Sequence, residues 1–392
     1  MSRIKSRIVT GIDVGTYKVR VVVMRVSSVN GNDKSNIKLL GTGIADSRGM
    51  RNGYIIDQNK VASSIKNAVY IAEKNAGVKI KNVFASIGSI GLDEIVSTGE
   101  IIPTRADSEI TEHDVNKVCS DSEDRVVDKI PNRYILHNIP LRYRVDGEQV
   151  LGSPETMQGT KLEVDMLFVT TFEKHLTELN SALESAGLTI ENVAAGQFAA
   201  STFLLNSAQK RAGCILVNIG AETVSTLVYE DDLPISAKIF PIGSSDITND
   251  LALGLQISIE EAEKIKTGGA SSVSLPKKKV VEIIEARLID IFELINNDLK
   301  KIKKDGLLPA GVILTGGGAT FLTKDVACKT LSLPAKLAPV EVNKNIKMKD
   351  PSWSVAFGLC LLGVNPESDN NNLGLNKHKQ KSVYDWITQF LP

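Results

Sequence analysis

Two segments of the chain, about half its length apart, repeat one short pattern. At an offset of 205 positions, Asp13 aligns with Asn218 and Gly15 with Gly220. Each segment is an apolar run, a glycine-containing turn and a second apolar run, which is typical of a β-hairpin. A motif that recurs at this distance predicts two related lobes, and a cleft between two lobes is a common place for a ligand.

The size and composition of the chain narrow the class of protein. Its 392 residues exceed one typical domain, and 46 Lys+Arg balance 46 Asp+Glu. This balance argues against a dedicated nucleic-acid binder, which normally shows a basic excess. The four cysteines are scattered and form no CxxC pair, so a reducing compartment fits. Because no apolar run reaches the roughly 20 residues of a membrane span, we expect a cytoplasmic body.

The first hairpin turn has the chemistry of a phosphate site. Gly15 lets the backbone come close to a ligand, and successive N–H groups in a tight turn attract an anion. Thr16 adds a hydroxyl donor and Lys18 a compact positive charge. Asp13 is suited to hold a hydrated Mg²⁺ through water.

A third glycine cluster lies between an apolar strand and a helix start. It comprises Gly316, Gly317 and Gly318 in GVILTGGGATFL, where a helix N-terminus would attract negative charge. A Walker A loop is absent, and no GxGxxG opens a helix. Each turn alone is compatible with an ordinary hairpin or loop, and the combination and its order indicate a nucleotide.

Regular structure is expected along most of the chain. Residues 83–166 contain many short strand-like pieces and one acidic helix with Thr111 as its N-cap, so they indicate a small inserted domain. The patterns predict helices at residues 60–75, 111–129, 171–186, 196–210, 243–266, 277–304 and 351–363.

The C-terminal segment changes composition twice. Residues 365–381 are polar and Asn-rich, which predicts a disordered linker, and residues 382–392 turn apolar again. Three upstream lysines would attract anionic lipids, and the segment is too short to span a bilayer, so a surface-lying membrane anchor fits. A helix docked on its own protein is the alternative. One helical stripe would contain Val383, Trp386, Ile387, Phe390 and Leu391.

The order of these motifs resembles the actin-like ATPase superfamily. GIDVGTYKVRVVV and ILVNIGAETVSTLVY are similar to its two phosphate loops, and ILTGGGATFL to its adenosine loop. Within that superfamily, PIGSSDITNDLALGLQISIEEAEKIK and LGSPETMQGTKLEVDMLFVTT resemble the FtsA family of bacterial cell-division proteins.

The resemblance implies an α/β, actin-like two-lobed fold with duplicated nucleotide-binding cores. It also implies an FtsA-type inserted subdomain and a C-terminal amphipathic helix. The expected parts are first-lobe core 1–82, insert 83–166, first-lobe core 167–204, second lobe 205–350, a returning helix 351–364, linker 365–381 and anchor helix 382–392.

ATP and Mg²⁺ are the cofactors that the resemblance implies. Gln197 aligns with a residue that orients the attacking water, although a structural role is the alternative. Asn218 replaces the usual Asp and cannot act as a carboxylate base, so we expect weak or slow hydrolysis at most. A solvated helix face is the alternative for Glu263 and Lys266. The expected nucleotide-binding residues are Asp13, Gly15, Thr16, Lys18, Gly220, Ala221, Glu222, Thr223, Gly243, Glu263, Lys266, Gly316, Gly317 and Gly318.

The family also implies partners and a location. The expected partners are the C-terminal tail of the tubulin-like protein FtsZ, other copies of the chain in filaments, later divisome proteins and anionic lipids. No nucleic acid is expected as a partner. The expected location is peripheral, on the cytoplasmic face of the inner membrane at the division site. The rival interpretations are the related actin-like pilus-assembly protein, against which the insert and terminal helix argue, and a phosphotransferase of the same superfamily.

Overall fold

The computed structural model describes most of the chain. The expected linker and anchor helix lie outside the described residues. Those residues are 5–29, 32–105, 107–269, 276–338, 340–343, 346–348 and 350–364.

The first lobe is built on a five-stranded sheet. Its elements up to residue 87 are β1 (Lys5–Val14), β2 (Lys18–Val29), β3 (Asn32–Asp46), β4 (Met50–Arg51), β5 (Tyr54–Ile55), α1 (Gln58–Ala76) and β6 (Asn82–Ile87). The first two strands form the expected hairpin, and β3 extends it. Helix α1 begins where the Asp57 carboxylate accepts the Lys60 N–H and ends at Gly77 in the left-handed region.

The insert has its own sheet and core. Its elements are β7 (Asp93–Ile101), α2 (Glu112–Val127), β8 (Arg133–Val145), β9 (Glu148–Val150) and β10 (Leu162–Phe172). The strand order is β7–β10–β8–β9, with α2 against β7 and β10. We expected the insert to begin at residue 83, but β6 pairs with β1 in the first sheet, so the insert's sheet begins at β7. Thr111 caps α2, and Asp114 completes a capping box without the usual Glu.

The chain then returns to the first lobe. The elements are α3 (Glu173–Ser185), β11 (Thr189–Ala195), α4 (Gly196–Leu204) and α5 (Ser207–Ala212). The single helix predicted at 196–210 is wrong, because the chain leaves helical conformation at Leu205 and Asn206. The Asn206 side chain accepts the Gln209 N–H and so starts a separate helix.

The second lobe is built on another five-stranded sheet. Its elements are β12 (Cys214–Ile219), β13 (Val224–Glu230), β14 (Leu233–Phe240), α6 (Ser244–Leu255), α7 (Ile259–Lys266), α8 (Lys277–Lys301), β15 (Gly311–Thr315), α9 (Phe321–Leu331), β16 (Ala335–Leu337), β17 (Val340–Asn343) and β18 (Ile346–Met348). The helix predicted at 243–266 is two helices. Gln256 ends α6 in the left-handed region at φ 55°, and Ser258 caps α7.

The two sheets repeat one topology. Their orders are β3–β2–β1–β6–β11 and β14–β13–β12–β15–β16, three antiparallel strands followed by two parallel ones. The two hairpin turns contain equivalent backbone hydrogen bonds. Gly15 N–H donates to Lys18 O at 3.2 Å, and Gly220 N–H to Thr223 O at 2.9 Å. The offset of 205 positions therefore relates equivalent hydrogen bonds as well as similar residues.

The last described helix returns to the first lobe. A 3₁₀ turn at Pro351–Trp353 leads into α10 (Ser354–Val364). This helix is apolar all round, because it lies against β1, β2 and β6 and also against α4. Within the described residues, none of the helices is long and apolar enough to cross a membrane.

Candidate functional site

A cavity of about 390 Å³ lies between the two hairpin turns. This volume falls within the range of about 300–1,000 Å³ that small-molecule sites occupy. Both lobes line the cavity, as the repeat predicts. Its walls include these expected residues: Asp13, Gly15, Thr16, Lys18, Gln197, Asn218, Gly220, Ala221, Thr223, Glu263, Lys266, Gly316 and Gly317.

Asp13 lies at the end of β1. Ser86, at the end of β6, donates its hydroxyl to Asp13 Oδ1 at 2.7 Å. Arg20 lies opposite Asp13 on β2. Burial raises the pKa of the Asp13 carboxyl, against the opposing effects of the Arg20 charge and the Ser86 hydrogen bond. A bound cation would favour the ionised form of this carboxylate.

The first hairpin turn carries a cation that is already paired. Lys18 Nζ forms an ion pair with the carboxylate of Asp46 on β3. Lys18 also lies over the Tyr17 ring, 5.1 Å from its centroid. To bind a phosphate, the ammonium would have to share or leave the Asp46 carboxylate.

The second hairpin turn is fastened to the start of α6. Ser244 N–H donates to Gly220 O at 2.9 Å, and Ser245 N–H donates to Ala221 O at 2.8 Å. Gly243 precedes the helix. A Cβ there would lie 2.3 Å from Ala221 O, so only glycine fits. Gly243 therefore supports the turn from behind and is outside the cavity lining.

The Glu222 side chain points across the cleft. Its Oε2 accepts the backbone N–H of Asn52 at 2.5 Å. Asn52 belongs to the β4–β5 turn of the first lobe. Glu222 was expected to contact the nucleotide, but the structure places it in a contact between the lobes and outside the cavity lining.

Glu263 and Lys266 form a polar cluster at the base of α6. Lys266 Nζ forms an ion pair with Glu263 Oε2 at 2.7 Å, and it donates to Ser244 O at 3.0 Å and Thr248 Oγ1 at 2.8 Å. Burial disfavours the charged form of Glu263, but the hydrogen bonds from Lys266 and Thr248 outweigh it and lower its pKa. Both side chains therefore belong to a paired cluster at the cavity wall, rather than to a freely solvated helix face.

The glycine cluster after β15 contributes three different backbone environments. Gly316 has φ +91°, and a Cβ there would lie 2.4 Å from Asn218 Oδ1. Gly318 faces the protein, because its Cβ would lie 2.5 Å from Ile219 Cγ2, and it is outside the cavity lining. Gly317 faces the cavity, where the nearest atom to a Cβ would be Ser352 Cβ at 4.0 Å.

Several buried polar atoms of the cavity wall have no hydrogen-bond partner within the described part of the chain. They are both amide atoms of Gln197, Nε of Arg20 and Oγ of Ser352. Gln197 is fully buried, at 0% exposure. Because an unpaired buried amide costs free energy, these atoms indicate a polar ligand or water in the cavity.

Some residues of the cavity wall were not predicted from the sequence. Arg20, Ser86, Asp350 and Ser352 line the cavity but were not predicted. Arg20 could have been found from the hairpin register, since it is the cross-strand neighbour of Asp13. Ser352 carries no local signal, because α10 brings it back from the end of the second lobe.

Comparison with solved structures identifies the fold class. The chain is similar to a protein of a PilM–PilN type IV pilus biogenesis complex, with a TM-score of 0.66 and 16% identity over 91% of this chain and 98% of that one. It is also similar to MreB5 of Spiroplasma citri bound to ADP, with a TM-score of 0.51 and 12% identity over 93% and 98%. The fold and its inter-lobe cleft are therefore those of an actin-like protein.

Comparison of sequences identifies the family. The model of cell division protein FtsA matches residues 215–358, and that of the SHS2 domain inserted in FtsA matches residues 94–170, together more than half of the chain. Cell division protein FtsA of Borreliella burgdorferi is 28% identical over 90% of both chains. That of Pseudomonas aeruginosa is 24% identical over 94% of this chain and 92% of its own. The chain belongs to the FtsA family. It is therefore an actin-like protein with a role in cell division.

Proposed function

We propose that the protein binds ATP with Mg²⁺, assembles into filaments and holds FtsZ at the division site of the membrane. The observation that carries the nucleotide part is the cavity itself. It lies between two equivalent hairpin turns, and the amide of Gln197 projects into it without a partner. The MreB5 neighbour was solved with ADP, and a second MreB5 structure with AMPPNP.

The proposed nucleotide has a place for each of its parts. The phosphates would lie between the Gly15 and Gly220 turns, and the bare backbone at Gly317 would face the nucleoside. Mg²⁺ would neutralise phosphate charge and be held by Asp13 through water. Among the described residues, no group of three or more His, Cys, Asp or Glu side chains could hold a metal.

Hydrolysis would be weak or slow. The second turn offers Asn218, a neutral amide that cannot accept a proton from water. Gln197 can orient a water through its amide, but orientation alone supplies only part of a rate enhancement. Binding and assembly, rather than turnover, would therefore be the main use of ATP.

Membrane attachment would come from the apolar stripe expected after residue 381. A short anchor binds lipid reversibly, so stable attachment requires several anchors on one assembly. ATP-dependent filaments would supply this avidity on the cytoplasmic face of the inner membrane. There the assembly would bind FtsZ C-terminal tails and recruit later divisome proteins.

Liposome co-sedimentation tests this proposal. The full chain and a chain ending at Gly363 are compared on vesicles containing anionic lipids, with and without ATP. We expect the full chain to sediment with vesicles, ATP to increase the bound fraction, and the truncated chain to stay in solution. Retention of both forms in solution under every condition would contradict the anchor.

A pilus-assembly role is the second candidate, because the pilus protein has a TM-score of 0.66. That match covers 91% of this chain, so it includes most of the insert. The presence of the insert therefore does not distinguish a cell-division role from a pilus-assembly role. The family models favour cell division. A binding assay with an FtsZ C-terminal tail peptide distinguishes the candidates, since only a division protein is expected to bind it.

A further inference from the structure

Among the residues that the structure describes, three cationic side chains line the cavity, and two of them are already paired. Lys18 forms an ion pair with Asp46, and Lys266 forms one with Glu263. The third is Arg20, which has no carboxylate within ion-pair distance among the residues that the structure describes. Its charge is therefore the one most available to an anionic ligand.

The Arg20 guanidinium lies over an aromatic ring, but one of its nitrogen atoms has no hydrogen-bond partner. Its central carbon lies 6.0 Å from the centroid of the Trp353 ring, and Trp353 is 8% exposed. Its Nε is buried and has no hydrogen-bond partner. Ser352, next to that ring, also has an unpartnered hydroxyl and lines the same cavity. A buried N–H donor without a hydrogen-bond partner costs free energy.

The carboxylates near Arg20 do not fill this role. Asp13 is its cross-strand neighbour, but its carboxylate accepts a hydrogen bond from Ser86 and lies beyond ion-pair distance. Asp350 accepts the Ser352 N–H at 2.9 Å. Arg20 therefore lines the cavity without a carboxylate partner, and a ligand with several phosphates would supply the negative charge that it lacks.

We propose that Arg20 is a phosphate-binding residue of this cleft and makes nucleotide binding less dependent on a divalent cation. The inference rests on the proposed nucleotide function. A planar guanidinium suits bidentate contact with phosphate oxygens, and its position over the Trp353 ring limits the rotamer freedom that binding would remove.

The test is a titration of the full chain with a fluorescent ATP analogue, with ATP and adenosine as competitors. Arg20→Gln is compared with the wild type and with Arg25→Gln, an exposed residue of the same strand outside the cavity lining. We expect Arg20→Gln to weaken ATP binding about tenfold or more. Competition by adenosine should not change, and Arg25→Gln should bind as the wild type does.

Two further measurements separate the alternatives. Chelation of Mg²⁺ should weaken ATP binding more in Arg20→Gln than in the wild type. Thermal unfolding without nucleotide should show Arg20→Gln to be about as stable as the wild type, because the side chain has no ion pair to lose and its buried Nε has no hydrogen-bond partner. Equal ATP affinities, or equal losses for ATP and adenosine, would overturn the inference. If the wild type binds no nucleotide, the proposed function itself fails.

Discussion

At the residue scale, the glycine cluster after β15 shows how neighbouring identical residues differ in role. Gly318 has to be glycine for the fold, because a Cβ would meet the Ile219 side chain at 2.5 Å. Gly317 has no such requirement, since its nearest neighbour would be 4.0 Å away and it faces the cavity. The absence of a side chain at Gly317 therefore makes room for a ligand.

This difference predicts opposite behaviour for two alanine variants. Gly317→Ala should leave the thermal stability of the free protein within about 1 kcal/mol, but weaken nucleotide binding. Gly318→Ala should lower stability by about 1–3 kcal/mol because of overpacking. Thermal unfolding and nucleotide titration on the same samples measure both effects. Full nucleotide affinity in Gly317→Ala would show that no ligand approaches this backbone.

The buried Asp114 carboxylate of the insert should make the stability of the protein depend on pH. Asp114 accepts hydrogen bonds from the backbone and hydroxyl groups of both Thr104 and Thr111. Burial opposes its ionisation, but these bonds outweigh it and lower its pKa to about 2. Since the folded-state pKa is below the usual value, the stabilisation is present above that value and is lost as pH falls towards 2.

Replacement of this carboxylate should loosen the start of α2. Asp114→Asn removes a capping-box acceptor and should cost about 0.5–2 kcal/mol near neutral pH. Hydrogen–deuterium exchange of residues 112–127 in the full chain reports the change. The exposed Asp107→Asn, also in the insert, is the control. Equal exchange in Asp114→Asn and wild type would contradict the assigned cap.

Sequence alone identified residues whose role depends on local pattern. The hairpins placed Asp13 and Gly15 at the cavity because a β-turn and its flanking strands are adjacent in the chain. The sequence did not predict the contact of Glu222, whose acceptor role depends on Asn52 in the other lobe. It missed Ser352 for the same reason, because distant segments meet only in the folded chain.

At the element scale, apolar periodicity predicted the helices better than their breaks. The segments 196–210 and 243–266 each contain two helices, because Asn206 and Ser258 cap new starts. These cap residues were visible in the sequence, but the continuous apolar spacing outweighed them. Strand β14 was not predicted, and it completes the antiparallel half of the second sheet.

At this scale, a buried histidine of the insert contacts the start of α4, which lines the cleft. His137 of β8 is buried, stacks on Phe198 with centroids 4.2 Å apart, and accepts the Ala195 N–H at its Nε2. Ala195 is the last residue of β11 and Phe198 lies on α4, one on each side of Gln197 in the chain. The insert therefore supports the element that carries the unpartnered amide of the cavity.

Loss of this support should weaken nucleotide binding from a distance. His137→Ala removes the ring that orients the start of α4, so we expect lower nucleotide affinity and faster hydrogen exchange at residues 196–204. His113→Ala, an exposed histidine of the same insert, is the matched control. Unchanged affinity together with lower global stability would assign His137 a purely structural role.

At the scale of the whole molecule, two glutamates join the second lobe to the rest of the structure. Glu222 of the second lobe accepts the Asn52 N–H of the first. Glu94 of the insert accepts the Ser236 hydroxyl at 3.0 Å and the Ala237 N–H at 2.5 Å, and pairs with Lys238 at 2.9 Å. The observed arrangement of the second lobe is thus stabilised by charge-assisted hydrogen bonds at two separate points.

The double variant Glu94→Ala/Glu222→Ala should favour a more open molecule. Without these acceptors, the donors of β14 and of the β4–β5 turn lose partners, and the closed arrangement loses a few kcal/mol at most. A bound nucleotide should then dissociate faster, with association little changed, because opening limits release. Stopped-flow displacement of a fluorescent nucleotide measures the rate, and Glu260→Ala, an exposed residue of α7, is the control. Equal dissociation rates in the double variant and the control would show that these contacts do not limit opening, and that the hairpin turns alone retain the nucleotide.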